Sequence, residues 1–296
     1  MLRPSYLKKN DTIGIFACAR KVTLIELQPA IDVFKSWGLQ VVLSKNLFDA
    51  YHQFSGTDEL RTADLQAMLD DVSIKAIISA RGGYGTLRII DQLDFKLFKK
   101  HPKWVIGYSD ITVLHAHIYN LGIETIHATM PINFNKNKEA VISLHAALFG
   151  QPLIYKFEGH VLNKFGIAKG ELIGGNLSLL YALIGSNSDM DTVGKILFIE
   201  DLDEYLYHID RMMMSLKRAG KLCHLAGLIV GGMTEMKDNQ IPFGKTAPEI
   251  ILDAVKEYNY PVCFDFPAGH IDKNLALYFG RKATLTIENY PNLNFE

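Results

Sequence analysis

The segment Gly107-Tyr-Ser-Asp-Ile111 sets a serine between an apolar run, Trp104 to Ile106, and a helical pattern, Ile111 to Tyr119. At a sharp strand-to-helix turn a serine hydroxyl projects from the sheet edge. The next amide, that of Asp110, points the same way at the helix N-terminus, and Gly107 permits the tight approach. That is the layout of a nucleophile elbow, although Ile111 stands where the pattern has its second glycine. A plainer alternative fits the same residues: Ser109 as a helix N-cap, with Asp110 favouring the helix dipole.

Arg81-Gly-Gly-Tyr-Gly85 follows another apolar run, Ala76 to Ser79. Its closely spaced glycines leave backbone amides free to converge on an anion, as an oxyanion hole or phosphate cradle does. The stretch lacks a P-loop lysine and Gly-x-Gly-x-x-Gly spacing, so nucleotide binding gains little support. An ordinary tight turn is the alternative, for which Arg81 and Tyr84 are unneeded neighbours. Glu200 and Asp201 come directly after the apolar run Leu197 to Ile199. A carboxylate there can orient a histidine, help hold a divalent metal, or simply belong to a solvated acidic loop.

Among ten histidines, His270 has the most defined setting. Pro267 and Gly269 shape a loop just past the expected strand Val262 to Phe266, which suits a positioned base; an incidental loop histidine is the alternative. His115 and His117 lie in the helix after Ser109, where packing or solvent accounts for them, and i,i+2 spacing makes them diverge. His127 is a reserve candidate at a strand end. No two His or Cys residues have ligand spacing beside the acids, so neither a metal nor another cofactor is expected. The combination is what gains weight: nucleophile, base, orienting carboxylate and amide donors each stand just past a strand end.

The elements that position them alternate. Strands are expected at Thr12 to Ala17, Leu39 to Leu43, Ala76 to Ser79 and Trp104 to Ile106. Helices are expected at Leu24 to Trp37, Asp58 to Asp70, Thr86 to Leu93 and Ile111 to Tyr119. This rhythm implies a parallel sheet covered on both faces, with sites at the carboxyl ends of its strands. Around residues 150 to 168 it breaks, at Gly150-Gln-Pro152, Gly159 and Gly166. Beyond lie strands Lys195 to Ile199, Leu225 to Val230 and Val262 to Phe266, helices Tyr207 to Ala219 and Pro248 to Tyr258, and a closing hairpin, Leu275 to Glu288. The expectation is an α/β domain over 1–150, a linker over 151–167, and a β-rich α+β domain over 168–296.

Composition narrows the function classes. With 31 basic and 32 acidic residues the net charge is −1, so no polyanion-binding surface and no nucleic-acid partner is expected. Apolar runs such as Ile13 to Ala19 are too short to cross a bilayer. Cys18, Cys223 and Cys263 are odd in number and far apart, which fits reduced thiols. The first residues show no signal-peptide pattern, and a cytoplasmic enzyme or binding protein is the expectation.

Six stretches then align in order: Arg81-Gly-Gly-Tyr-Gly85, Gly107-Tyr-Ser-Asp-Ile-Thr112, Gly174-Gly-Asn-Leu-Ser178, Ile199-Glu-Asp201, Ile209-Asp-Arg211 and Gly269-His270. Together they resemble the LD-carboxypeptidases, muramoyl-tetrapeptide carboxypeptidases of serine peptidase family S66, over nearly the whole chain. The resemblance implies Ser109 as nucleophile, His270 as general base, Glu200 as its orienting carboxylate, and an oxyanion hole of the Gly83 and Asp110 amides. It also implies a Rossmann-like N-terminal domain, a β-rich C-terminal domain and a homodimer. The implied reaction releases terminal D-alanine from a murein tetrapeptide. Arg81 is the candidate for the terminal carboxylate, from its charge and position. The chain departs from relatives at Ala17-Cys-Ala-Arg20, where they often read Ala-Pro-Ser. Two competing readings are a relative resembling microcin C self-immunity proteins, which cleaves a peptide-nucleotide conjugate, and a two-lobed binding protein without catalysis.

Overall fold

In the computed structural model, which describes residues 1–296, the alternation opens with β1 (Thr12–Phe16), α1 (Leu24–Ser36) and β2 (Gln40–Leu43). It continues with α2 (Asp58–Asp70), β3 (Ile74–Ser79), α3 (Lys96–Lys100), β4 (Trp104–Gly107), α4 (Thr112–Asn120) and β5 (Thr125–His127). These five strands are mutually parallel in the order β5-β4-β3-β1-β2. Parallel neighbours need crossovers, and helices supply most of them. Alternate strand residues feed the two faces: Ile13, Ile15, Ile78 and Ile106 pack with α1, while Phe16, Ile77 and Val105 pack with α2 and α4.

After α5 (Lys138–Leu148) come β6 (Ile154–Lys156), β7 (Gly166–Asn176), α6 (Leu177–Leu183), β8 (Ile196–Leu202), α7 (Leu206–Arg218), β9 (Gly227–Thr234) and α8 (Ala247–Val255). The chain closes with β10 (Val262–Cys263), β11 (Leu277–Phe279), β12 (Lys282–Ile287) and β13 (Asn292–Phe295). The second sheet runs β10-β9-β8-β7-β12-β13-β6. It is parallel from β7 to β10 and antiparallel through β12 and β13 to β6. The architecture is therefore mixed α/β, a sheet with five parallel strands and an antiparallel edge strand, β11, beside a second, mixed one.

Four sequence expectations differ from the structure. Thr86 to Leu93 forms two short 3-10 turns, Thr86–Arg88 and Ile90–Gln92, instead of an α-helix. The amide and hydroxyl of Thr86 are both committed to Asp110, which ties that turn to a neighbouring loop. Leu275 to Glu288 is no hairpin: β11 pairs antiparallel with β5 in the first sheet, and β12 pairs with β7 in the second. The crossing between sheets falls at Gly280-Arg281, where the Arg281 guanidinium is buried against Glu124 at 2.6 Å. The stretch 151–167 contains β6, hydrogen-bonded to β13. Of Val262 to Phe266, only Val262–Cys263 pairs as strand.

The hydrophobic core joins the two halves. One cluster runs from Phe16, Leu65 and Val113 to Ile173, Met213 and Ile250. The other runs from Ile15, Phe34 and Trp104 to Phe198, Phe266 and Leu285. Each is a face of both sheets, so burying one half's apolar surface requires the other.

Candidate active site

Ser109 stands just past β4 with φ +62°, a left-handed conformation that costs a non-glycine residue about 1–3 kcal/mol. A 3-10 turn, Ser109–Ile111, leads directly into α4. An N-cap has extended backbone and a side-chain bond to the helix, and Ser109 has neither. The serine is thus held as an elbow. Ile111 in place of a second glycine is accommodated from the other side: a β-carbon on Gly107 would lie 2.7 Å from Ile111 Cγ1. The glycine turn after β3 presses on the serine, since a β-carbon on Gly82 would come within 2.9 Å of Ser109 Oγ.

His270 reaches Ser109 from the far end of the chain. Its Nε2 lies 3.0 Å from Ser109 Oγ, across 161 residues of sequence. Its Nδ1 lies 2.6 Å from Glu200 Oε2, which also accepts the His270 backbone amide at 3.1 Å. A carboxylate only accepts, so Nδ1 carries the proton and Nε2 presents its lone pair to the hydroxyl. Burial by itself pushes the imidazolium pKa down; the charge and hydrogen bond of Glu200 overcome this and hold it above the ordinary value of 6.5. Glu200 is fully buried in β8, and Gly269 makes its contact with the histidine loop possible. A β-carbon on Gly269 would fall 2.7 Å from Glu200 Cβ, and its φ of +102° also favours glycine.

Asp110, buried beside the serine, accepts the Thr86 amide at 2.8 Å and the Thr86 hydroxyl at 2.5 Å. Burial raises its carboxyl pKa to about 6. Cys18 Sγ contacts the same hydroxyl at 3.0 Å, so this thiol serves the packing behind the elbow. Asp201, the other acid of the pair, is turned away from the histidine. It accepts from Asn176 Nδ2 at 2.8 Å and from the Ser178 amide at 2.9 Å, which anchors the start of α6. Burial, then the adjacent Glu200 charge, raise its pKa to about 7.

The remaining sequence candidates separate. His127 is buried and bonds Asn274 Oδ1 at 3.2 Å, with no contact to Ser109. Asn274 Oδ1 also accepts the Gly269 amide at 2.8 Å, so His127 supports the loop before His270. His115 bonds Thr125 and the Gly107 carbonyl from within the core, and His117 bonds Ser188. Arg81 donates to the Lys21 carbonyl at 3.2 Å. Over the glycine turn lies Arg20 instead, 2.6 Å (Cγ) from where a Gly83 β-carbon would be. Asn274 was not singled out from the sequence and carries no local signal, because it acts through residues distant in the chain. Arg20 ends the stretch Ala17-Cys-Ala-Arg20, which the sequence marks as a departure from relatives, but its fit against Gly83 is visible only in the fold.

Comparison with known proteins extends this geometry. Residues 13–128 match the LD-carboxypeptidase N-terminal domain, and residues 169–285 match the LD-carboxypeptidase C-terminal domain. The chain belongs to the LD-carboxypeptidase family. It is 37% identical to a probable murein peptide carboxypeptidase of Bacillus subtilis, over 96% of this chain and 91% of that one. Murein tetrapeptide carboxypeptidase of Pseudomonas aeruginosa is 25% identical, over 93% of each chain. Among solved structures, muramoyltetrapeptide carboxypeptidase from Oxalobacter formigenes superposes with a TM-score of 0.88 at 26% identity, covering 96% of this chain and 98% of that one. Microcin C7 self immunity protein MccF, in complex with aspartyl sulfamoyl adenosine, shares the fold with a TM-score of 0.89 at 23% identity, over 100% and 99%. LD-carboxypeptidases of family S66 are serine peptidases, and this chain is a hydrolase of that class.

Proposed function

We propose that this LD-carboxypeptidase hydrolyses the L,D amide bond that releases terminal D-alanine from murein tetrapeptides, with Ser109 as nucleophile, His270 as general base and Glu200 as its orienting carboxylate. The observation that carries the assignment is the unbroken line from Glu200 Oε2 through His270 to Ser109 Oγ, 2.6 and 3.0 Å. The substrate follows from similarity to murein peptide carboxypeptidases along the whole chain.

In the first half-reaction His270 Nε2 takes the Ser109 proton as Oγ bonds to the scissile carbonyl carbon. The amides of Gly83 and Asp110 donate to the oxyanion; neither donates to an acceptor within the protein. As the C–N bond breaks, His270 returns the proton to the departing D-alanine nitrogen. Water, deprotonated by the same nitrogen, then cleaves the acyl ester and restores Ser109. Glu200 keeps the proton on Nδ1 and stabilises the imidazolium. The reading includes a nucleophile-bearing domain over 1–150 and a second over 168–296, a homodimer, and a cytoplasmic setting that suits three free cysteines.

D-alanine release from a defined tetrapeptide tests it. Wild type releases D-alanine, and Ser109→Ala lowers release by about 10³-fold or more with an unchanged melting temperature. Turnover of a peptide-nucleotide conjugate with no D-alanine release would replace the substrate. Full activity in Ser109→Ala would remove the serine from its role.

A further inference from the structure

The same glycine turn that touches Ser109 carries a cation on its other residue. Gly82 faces the serine: a β-carbon there would meet Ser109 Cβ and Oγ at 2.9 Å. Gly83 faces Arg20: a β-carbon there would meet Arg20 Cγ at 2.6 Å, Cδ at 2.9 Å and Nε at 3.2 Å. The arginine stem therefore packs against Gly83, the residue whose amide is assigned to the oxyanion. Its backbone is anchored. Arg20 bridges Phe54, the Lys21 amide donates to Gln53 O at 3.0 Å, and the Ser55 amide donates to Ala19 O at 3.1 Å.

Its guanidinium is unengaged, unlike the other arginines of this region. Arg61 and Arg88 are both paired with Asp58, and Arg81 is turned onto the Lys21 carbonyl. Arg20 is exposed and pairs with no carboxylate of the protein. An exposed cation pinned beside a nucleophile, with its donors free, is suited to an anion that arrives with the substrate.

We propose that Arg20 binds the terminal carboxylate of the peptide and so makes the enzyme an exopeptidase. This rests on the carboxypeptidase reading above. In such a substrate the carboxylate lies one residue beyond the scissile carbonyl, and one residue spans at most about 3.3–3.6 Å. The carboxylate must therefore lie next to the oxyanion site, where Arg20 is. A planar guanidinium can hold both carboxylate oxygens, and it does so more strongly once the peptide displaces water from the cleft. An amide or an extended chain at that position presents no full charge, and a longer chain also runs into the arginine.

The test separates recognition from turnover. In Ser109→Ala, binding of a tetrapeptide ending in D-alanine is compared by calorimetry with binding of the same peptide as its C-terminal amide. The acid is expected to bind about tenfold or more tightly, the size of a charge-assisted bond. Adding Arg20→Gln should erase that preference by weakening the acid alone, and Arg20→Lys should restore part of it. A preference that survives Arg20→Gln, or one that Arg81→Gln erases instead, overturns the proposal. So does equal binding of acid and amide to Ser109→Ala. Failure of the underlying reading shows differently: wild type would release no D-alanine, whatever the binding preference.

Discussion

Thr112 Oγ1 accepts the backbone amide of Asn176 at 2.9 Å, and this bond bolts the helix that follows Ser109 to the second sheet. Thr112 begins α4, three residues after Ser109, and Asn176 is in register with Glu200 on the neighbouring strand. Glu200 in turn holds His270. The separation of Ser109 and His270 is therefore set through a short chain of contacts across the two halves. Gly175 makes room for it, since a β-carbon there would fall 2.4 Å from Thr112 Oγ1.

Gly175→Ala should strain this junction. Overpacking of this kind costs about 1–3 kcal/mol, and an ångström of misplacement can cost about 100-fold in rate. The expected result is a lower melting temperature together with a fall in kcat. A variant with unchanged stability and unchanged kcat would show that the junction does not set the spacing.

The pH profile should report His270. In the proposed mechanism its base form is the active one, and Glu200 holds its pKa above 6.5, so kcat/KM should rise with pH through a midpoint above that value. In Glu200→Gln the burial of the imidazole is no longer opposed by a charge. The midpoint should then move to lower pH while the rate at its plateau falls by about 10²–10⁴-fold. A profile whose midpoint stays in place would assign the titration to another group.

Asp110 makes stability fall with rising pH. Its ordinary pKa is 3.8 and its folded value about 6, so between them the native state binds more protons than the unfolded chain. The contribution is complete below 3.8 and is lost as pH rises through about 6; the shift corresponds to about 3 kcal/mol. Asp110→Asn keeps an acceptor for Thr86 and removes the titration. Urea unfolding from pH 3.5 to 7.5 should show the wild type losing stability relative to the variant as pH rises. Parallel curves would refute the assignment.

Asn274→Ala should disturb the histidine loop through two buried donors at once, the Gly269 amide and His127 Nε2. Each unpaired donor costs about 1–3 kcal/mol. Because Asn274 acts through Gly269 on His270, kcat should fall more than KM changes. An equal loss in both, or none in kcat, would leave Asn274 a purely structural residue.

Much of this site was legible along the chain because its parts are local. The turn at Ser109, the glycine turn at 82–85 and the acids that close the apolar run of β8 each sit at the end of an apolar run, and such runs are written in periodicity. Other features depended on where distant segments meet. The expected hairpin at Leu275 to Glu288 fails because hydrophobic periodicity marks a strand but not its sheet, and Arg281 finds its partner at Glu124. The helix expected from Thr86 gives way because Thr86 is claimed by Asp110, a contact no local propensity encodes.

The sequence by itself determined the alternating first half, the residue types of a serine hydrolase site and their order. Tertiary structure alone decided that Ser109 Oγ and His270 Nε2 meet at 3.0 Å, that Asp201 turns onto Asn176 and Ser178, and that Arg20 rather than Arg81 lies on the glycine turn. The reason is physical: side-chain direction at a strand end depends on which neighbours remain to be buried, and those neighbours come from the other half of the chain.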